Sequence, residues 1–255
     1  MSDWQALDDE VARWCDAGRL VELWWRDDDA IDATPALDRL LDLHRTSRAP
    51  LALAVVPAHA TAALAARLAD EAAVDVLQHG YGHANHAAVD AKKTELGAER
   101  PAMMVLGELG TGWMALERLF GKRALPVMVP PWNRIAPMLV PALPEIGFTG
   151  LSTFGVRQRA EAVRGLRQVN THVDLIDWRR DRGFVGHDTA LAALVSALAT
   201  GRQGAVEPVG LLSHHLAMDE GAWDFLRSLL GRAVDTLGVR MRSAHELFAS
   251  REARS

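Results

Sequence analysis

The sequence predicts an α/β fold in which residues 1–255 form one domain, a (β/α) barrel of parallel strands. Short apolar runs rich in Val and Leu alternate with Ala- and Leu-rich helical segments, a rhythm typical of parallel strands joined by helical crossovers. Eight such runs occur, as many as a (β/α) barrel has strands. No Gly/Ser-rich linker divides the chain. A doubly wound open sheet is the alternative that this rhythm leaves open.

The predicted elements follow one another from the N-terminus. A helix over about residues 3–17 comes first, because Leu7 and Val11 belong to an apolar stripe at helical spacing. Ser2 is the predicted cap of this helix. The predicted strands cover residues 20–25, 51–56, 74–77, 125–129, 149–152, 169–173, 209–212 and 239–241. The helices between and after them cover residues 35–44, 61–71, 101–120, 188–200, 220–236 and 244–248.

Composition and charge narrow the range of functions. The net charge is −5 at pH 7, and Lys and Arg are scattered and outnumbered, so no nucleic-acid partner is expected. Cys15 is the one cysteine, which excludes an internal disulfide and fits a reducing compartment. The sequence contains neither an apolar run of about 18 residues nor the pattern of a secretory signal. We therefore expect a cytoplasmic protein without a membrane partner, and the oligomeric state stays open.

Two histidines four positions apart are the first indication of a metal site. His79 and His83 lie in the stretch VLQHGYGHANH, directly after the third predicted strand. This spacing brings two imidazoles together on one helical turn or tight loop, and neutral imidazoles are ligands that zinc-type metals prefer. A third ligand would complete an open catalytic site with three protein ligands. The run Asp27-Asp28-Asp29 after the first predicted strand offers a carboxylate for that position.

Polar residues gather at one predicted end of the strands. Active sites of (β/α) barrels lie at the carboxyl ends of their strands, and the strand starts in this sequence show no comparable gathering. Six of the ten histidines fall at this predicted face, which scattered surface histidines would not do. The polar residues after the strands are Arg26 and the three aspartates, His59, His79, His83, Asn133, Arg134, His172, Asp174, Asp177, His214 and His215.

These residues resemble a divergent branch of the polysaccharide deacetylase family, family four of the carbohydrate esterases. Five short motifs in the order of that family carry the resemblance over roughly residues 20–245. They are Asp28-Asp29, the pair His79 and His83, the loop Pro130-Pro131-Trp132-Asn133-Arg134, the dipeptide Asp177-Trp178, and Leu212-Ser213-His214. The fold of the family is a distorted (β/α) barrel, in agreement with the alternation of strands and helices.

The sequence departs from the family pattern at four places. Ala30 stands where the family usually has Gly after the aspartate pair, and Arg26 precedes that pair. Arg134 comes later in its loop than the arginine of the family's third motif. His215 stands where an Asp commonly follows the last motif histidine. These departures bear on the substrate more than on the metal.

The resemblance implies a metal-dependent hydrolase that removes an acyl group, above all an N-acetyl group, from a small sugar or an oligosaccharide. By that resemblance Asp29, His79 and His83 would hold one divalent metal, with zinc the expected ion. Asp28 would be the general base that takes the proton of the attacking water. Arg134 would orient Asp28 through a charge-assisted hydrogen bond.

The remaining roles also follow from the resemblance. His214 would be the general acid that protonates the leaving amine, and Asp177 would hold and tune its imidazolium. The sequence leaves open whether His214 or His215 is the acid and whether Asp27 or Asp28 is the base. The expected substrate contacts are Trp132, Asn133, Trp178, His215 and His172.

Three other functions compete with the deacetylase prediction. A barrel of the same fold can hydrolyse a non-sugar amide, such as a cyclic ureide or a formamide, and a small panel of amides separates the two. A sugar-binding module with an inactive site is the second, and it would bind an N-acetyl sugar without turnover. A glycosidase barrel with two carboxylates is the third, but it leaves His79 and His83 without a role.

Overall fold

The computed structural model describes residues 4–204 and 207–249. The strands are β1 (Val21–Ala30), β2 (Leu51–Val55), β3 (Val74–His79), β4 (Ala124–Val129), β5 (Gly150–Leu151), β6 (Glu161–Val163), β7 (Leu166–Gln168), β8 (Val173–Asp174), β9 (Val209–Ser213) and β10 (Val239–Met241). The helices are α1 (Gln5–Asp16), α2 (Pro35–Ser47), α3 (Ala62–Leu68), α4 (Ala102–Phe120), α5 (His187–Gln203), α6 (Glu220–Asp235) and α7 (Ala244–Phe248). The predicted cap Ser2 of the first helix lies outside the described residues.

The strands form one mostly parallel sheet that curls into a distorted barrel. Their order is β6-β7-β5-β4-β3-β2-β1-β9-β8, and β10 pairs with the start of β1. β7 and β8 lie on the stretch 166–174, where β7 pairs with β5 and β8 pairs with β9. Between them Thr171 N donates to Thr153 O, and His172 N donates to Gly210 O. This stretch therefore closes the sheet between β5 and β9, and the predicted (β/α) barrel is confirmed.

Three local differences separate the predicted strands from the observed ones. β1 continues five residues beyond the predicted end at Trp25, because Arg26, Asp27 and Asp28 are buried polar residues that extend the strand. The predicted strand 169–173 overlaps β8 only at Val173, since β7 ends at residue 168. The antiparallel hairpin of β6 and β7 was not predicted. Its strands have three residues each and half of these residues are polar, so they lack the apolar runs by which the other strands were found.

The two faces of the barrel strands are both buried. Trp24 belongs to the cluster that fills the barrel, whereas Leu23 and Trp25 pack in the layer between the barrel and its helices. By the same period of two, Arg26 and Asp28 share the inward face of Trp24, and they lie where β1 approaches the mouth of the barrel. The strand therefore delivers two charged side chains to the end at which active sites of such barrels lie.

No helix among the described residues combines the length and the apolar character that a membrane span requires.

Candidate metal centre

Three side chains, one from β1, one from the end of β3 and one from the loop after β3, meet at the carboxyl end of the barrel. The Oδ1 atom of Asp29 lies 3.1 Å from Nε2 of His79 and 3.2 Å from Nε2 of His83. Within the described residues, this is the one group of His, Cys, Asp and Glu whose ligand atoms all lie within 4.8 Å of one another. Two imidazole nitrogens and one carboxylate oxygen form a donor set that catalytic metal sites use. The three predicted ligands are thus brought together.

The hydrogen bond on the far side of His79 fixes which ring nitrogen faces Asp29. Nδ1 of His79 lies 3.0 Å from the carbonyl oxygen of Val129, which can only accept, so Nδ1 carries a proton. The neutral ring therefore turns an unprotonated Nε2 towards the Asp29 carboxylate. Two acceptors at 3.1 Å require a proton or a cation between them. The residues present fit a divalent metal on this ground.

Asp29 and His79 shift each other's pKa, and charged groups beyond the three ligands contribute to these shifts. Burial raises the pKa of Asp29, but the hydrogen bond from His79 and the charges of His79, His214 and His83 lower it far below its usual value. Burial lowers the pKa of His79, but the charges of Asp28 and Asp29 raise it more. Burial and the charge of His79 lower the pKa of His83. Asp28 and His214 are therefore close enough to the three ligands to act on them electrostatically.

Strained backbone conformations cluster at this site. Asp29, His83, Trp132 and Asn133 have φ values of 74°, 54°, 55° and 56°, in the left-handed region that non-glycine residues rarely adopt. The pairing of β1 with β2 also shifts register over residues 27–30. Such an irregularity re-aims a side chain. The register shift allows Asp29 to face the two histidines, while Asp28, the residue before it on the strand, points into the barrel.

Arg26 holds Asp28 through a bidentate ion pair. Nε of Arg26 lies 2.8 Å from Oδ1 of Asp28, and Nη2 lies 3.0 Å from Oδ2. The same guanidinium donates to Oγ of Ser152 at 2.7 Å and to Oδ1 of Asn133 at 2.8 Å. All of these polar groups except Asn133 are buried. The arrangement fixes both oxygens of Asp28.

The prediction that Arg134 orients Asp28 is wrong. Arg134 is exposed, and its Nη1 donates to the carbonyl oxygen of Lys93 at 2.7 Å. Arg26 takes the predicted place because it lies two residues before Asp28 on the same face of β1. The spacing of Arg26 and Asp28 is visible in the sequence, but the motif order of the deacetylase family predicts an arginine from the later loop.

His214, at the end of β9, has Asp174 as its carboxylate neighbour. Nδ1 of His214 lies 3.8 Å from Oδ1 of Asp174, which is an ion-pair distance and too long for a hydrogen bond. Trp178 donates from Nε1 to Oδ2 of Asp174 at 3.0 Å, and its ring meets the His214 ring edge-on at 4.7 Å. Burial is the main cause that raises the pKa of Asp174, and the charge of His214 partly opposes it.

The prediction that Asp177 holds His214 is also wrong. Oδ1 of Asp177 accepts from the backbone N–H groups of Arg179 and Arg180, so this carboxylate stabilises its own turn. Asp174 is the last residue of β8, and that strand pairs in register with β9 immediately before His214. Strand pairing therefore selects Asp174, whereas Asp177 lies beyond the end of the strand.

Comparisons with known proteins identify the fold. No family model and no curated protein matches the chain. Solved structures match along most of it. A protein from Mycobacterium smegmatis assigned to the polysaccharide deacetylases has a TM-score of 0.65 at 15% identity, over 91% of each chain. The Bc1960 peptidoglycan N-acetylglucosamine deacetylase has a TM-score of 0.58 at 18% identity, over 89% of this chain and 87% of its own.

A third structure adds a metal to the comparison. A family 4 acetyl xylan esterase from Clostridium thermocellum, solved with a cobalt ion, has a TM-score of 0.56 at 14% identity, over 89% of this chain and 90% of its own. The chain has the polysaccharide deacetylase fold. The resemblance seen in the five motifs is confirmed in the fold, and the low identities agree with a divergent branch.

On this deacetylase fold, Asp27 and His215 form a second buried pair that does not face the three ligands. Nδ1 of His215 lies 2.5 Å from Oδ1 of Asp27, and Oδ2 of Asp27 accepts from Ser213 Oγ at 2.6 Å and from His215 N at 3.0 Å. Both carboxylate oxygens are thus occupied in joining β1 to β9. The prediction that His215 contacts substrate is wrong, because its side chain is 1% exposed. The same contacts favour Asp28 over Asp27 as the base.

His172 also lies away from the candidate metal centre. Its Nδ1 accepts from Gly210 N at 3.1 Å, and its Nε2 lies 3.3 Å from Oε1 of Glu207. Together with Thr200 and Gly201 of α5, His172 and Glu207 line a separate cavity of about 300 Å³. The prediction that His172 contacts substrate is wrong, because its side chain faces this separate cavity.

The two predicted tryptophans stand beside different histidines of the site. The ring of Trp132 lies 4.4 Å from the ring of His83, and the ring of Trp178 lies against His214. Trp178 is 44% exposed, so it presents an apolar face to solvent. Asn133 uses its Oδ1 atom for Arg26. Substrate contacts of these three residues stay predictions.

Proposed function

We propose that the protein is a metal-dependent hydrolase that removes an acyl group, above all an N-acetyl group, from a sugar-containing substrate. The approach of Asp29, His79 and His83 to within 3.2 Å carries this proposal, because it provides three metal ligands beside a further buried carboxylate, Asp28. Two of the similar structures are enzymes named for acetyl groups on sugars, a peptidoglycan N-acetylglucosamine deacetylase and an acetyl xylan esterase.

The proposed resident metal is zinc, held by Nε2 of each histidine and Oδ1 of Asp29. Two imidazoles with one carboxylate are a ligand set of catalytic zinc sites, and other divalent ions such as cobalt fit the same donors. When bound, the metal supplies Lewis-acid polarisation of the acyl carbonyl and a lowered pKa for water.

Asp28 is the proposed general base. The bidentate bonds from Arg26 keep the carboxylate in one orientation. An ionised carboxylate beside the ligand set can take the proton of the water that attacks the acyl carbon. The Arg26 charge also offsets part of the repulsion between Asp28 and Asp29.

His214 is the proposed general acid. It donates a proton to the leaving amine nitrogen as the bond between that nitrogen and the acyl carbon breaks. Asp174 is the carboxylate at ion-pair distance from this imidazole, 3.8 Å from its Nδ1. Trp178 fixes the other oxygen of Asp174 and packs against His214, so one indole both orients the acid and offers a face to a sugar ring. Trp132 offers a second such face beside His83.

Release of acetate tests the proposal. The protein, stripped of metal with a chelator and reloaded with Zn²⁺, is incubated with N-acetylglucosamine oligosaccharides, acetylated xylan oligosaccharides, a cyclic ureide and a formamide. Zn²⁺-dependent acetate release from either sugar, lost in Asp28→Asn, supports it. Turnover of only the non-sugar amides would replace the sugar substrate with a small amide. Binding of the N-acetyl sugar without product would indicate a sugar-binding module instead.

A further inference from the structure

A buried carboxylate outside the ligand set accepts hydrogen bonds from the loop that joins the two histidine ligands. Glu95 lies between β3 and α4 and is 1% exposed. Its Oε1 accepts from Gly82 N at 2.7 Å, and its Oε2 accepts from Tyr81 N at 3.1 Å. These two N–H groups belong to the loop that runs from His79 to His83. Each oxygen of Glu95 is thus committed to the backbone of the metal-ligand loop.

The loop from His79 to His83 packs closely against Glu95 and against the segments that follow β2 and β4. Gly80 adopts a φ of 57°, and a Cβ atom at this position would lie 2.0 Å from Oε2 of Glu95 and 2.6 Å from the ring of Pro131. The carbonyl oxygen of Tyr81 accepts from Ala58 N at 2.9 Å. The loop is therefore held between the carboxylate, the segment after β4 and the segment after β2.

The segment that carries Glu95 is itself fixed to the loop after β4. Ala136 N donates to Leu96 O at 2.7 Å, and Leu96 forms an isolated parallel bridge with Ile135. The loop after β4 also carries Trp132, whose ring contacts His83. Glu95 is consequently held by the loop after β4, and the same loop packs against His83 through Trp132.

The two hydrogen bonds that Glu95 accepts restrict the backbone directly before His83. His83 is held at a φ of 54°, a conformation that non-glycine residues rarely adopt and that persists only where its surroundings impose it. Hydrogen bonds from backbone N–H groups to an ionised carboxylate are about twice as strong as those between neutral groups. Two of them, on consecutive residues directly before His83, restrict the backbone at the place where the loop turns towards Asp29.

We propose that Glu95 is a positioning residue for the metal site: its carboxylate fixes the loop so that Nε2 of His83 reaches the ion held by Asp29 and His79. This inference rests on the proposed function, since it assumes that a divalent ion binds to those three residues. Glu95 itself lies outside the group of ligand atoms that meet at the site, which consists of Asp29, His79 and His83.

A metal titration of Glu95→Gln tests this inference. The amide keeps the size of the side chain but places an NH₂ group against one of the two N–H donors, so one hydrogen bond is lost. The dissociation constant for Zn²⁺ should rise about 10- to 100-fold, as for other residues that orient a ligand. The visible absorption spectrum of the Co²⁺-loaded variant should also change, because His83 meets the ion differently. The matched control Glu99→Gln, an exposed carboxylate of the same loop, should bind as the wild type does.

The outcomes separate this inference from the proposed function. A wild-type protein that binds no metal contradicts the metal site itself. A wild type that binds metal, with a folded Glu95→Gln variant of equal affinity and unchanged Co²⁺ spectrum, contradicts the role of Glu95 alone. A lowered melting temperature with both readouts unchanged would show a merely structural contact.

Hydrogen exchange on the wild type keeps the inference testable if the variant does not fold. The amide hydrogens of Tyr81 and Gly82 should exchange at least about tenfold more slowly than that of Val89, which lies in the same loop and is fully exposed. If the amide hydrogens of Tyr81 and Gly82 exchange as fast as that of Val89, the hydrogen bonds from the loop to Glu95 are contradicted.

Discussion

Arg26 and Asp28 form a buried bidentate ion pair within three residues of one strand, with nitrogen–oxygen distances of 2.8 and 3.0 Å. The pair exists because alternate residues of a strand share a face, and this face of β1 ends at the mouth of the barrel. In a chain with the polysaccharide deacetylase fold, the carboxylate proposed as base is therefore oriented from its own strand. The loop arginine, Arg134, is engaged elsewhere.

The first prediction concerns this ion pair. Arg26→Lys keeps a positive charge but cannot form two parallel hydrogen bonds, so Asp28 loses its fixed orientation. We expect kcat/KM for acetate release to fall about 100-fold, within the usual contribution of a general base, while one metal ion per chain is retained. Arg134→Lys is the control and should stay near the wild-type value. A larger loss in Arg134→Lys than in Arg26→Lys would return the orienting role to the loop.

The second prediction distinguishes the two aspartates near His214. The carboxylate of Asp174 lies at ion-pair distance from His214 and accepts from Trp178, so Asp174→Asn removes the charge beside the proposed acid. We expect kcat for acetate release to fall about tenfold or more, part of the usual contribution of a general acid. Asp177→Asn should stay near the wild-type value, because Asp177 is bonded to its own turn. A larger loss in Asp177→Asn than in Asp174→Asn would reverse the assignment.

The third prediction concerns stability far from the metal centre. Glu10 of α1 is buried and paired with Arg202 at 2.7 Å and Arg13 at 3.1 Å. Burial raises its pKa, but these arginines lower it more, so the folded-state pKa lies below the usual 4.5. A lowered folded-state pKa gives stability that is present above pH 4.5 and is lost as the pH falls through the folded-state value.

Glu10→Gln should accordingly reduce the free energy of unfolding at pH 7 by about 1–3 kcal/mol, because two cations lose their charged partner. The difference from the wild type should shrink as the pH falls below 4.5. Urea unfolding at several pH values measures both. Asp16→Asn, an exposed position on the same helix, should change neither quantity. A difference that grows towards low pH would contradict the sign.

Much of the fold and part of the site could be predicted from the sequence. The alternation of apolar runs and helices predicted the barrel, because each parallel strand is buried on both faces and so appears as a continuous apolar run. His79 and His83 were found because their spacing is local. The run Asp27-Asp28-Asp29 was found because it follows a predicted strand, and the carboxyl ends of parallel strands meet. The choice of Asp29 as the ligand came from the resemblance to the deacetylase family.

The wrong predictions concern residues whose contacts depend on the direction of the side chain rather than on its position along the chain. Arg134 and Asp177 lie in the expected loops. However, Arg134 donates to the carbonyl oxygen of Lys93 in the segment between β3 and α4, and Asp177 accepts within its own turn. The residues that took their places, Arg26 and Asp174, lie on strands whose pairing and alternation set their orientation. Glu95 gave no signal, since its partners are backbone N–H groups that carry no sequence pattern.

The metal content of His79→Ala, set beside that of the wild type, tests the central claim most directly. Both proteins are purified, saturated with Zn²⁺, freed of unbound ion and measured by inductively coupled plasma mass spectrometry. The three-ligand site predicts one ion per chain in the wild type and a loss of that ion in the variant, because two remaining ligands bind too weakly to survive the exchange. A folded His79→Ala protein that still holds one ion per chain would contradict the site.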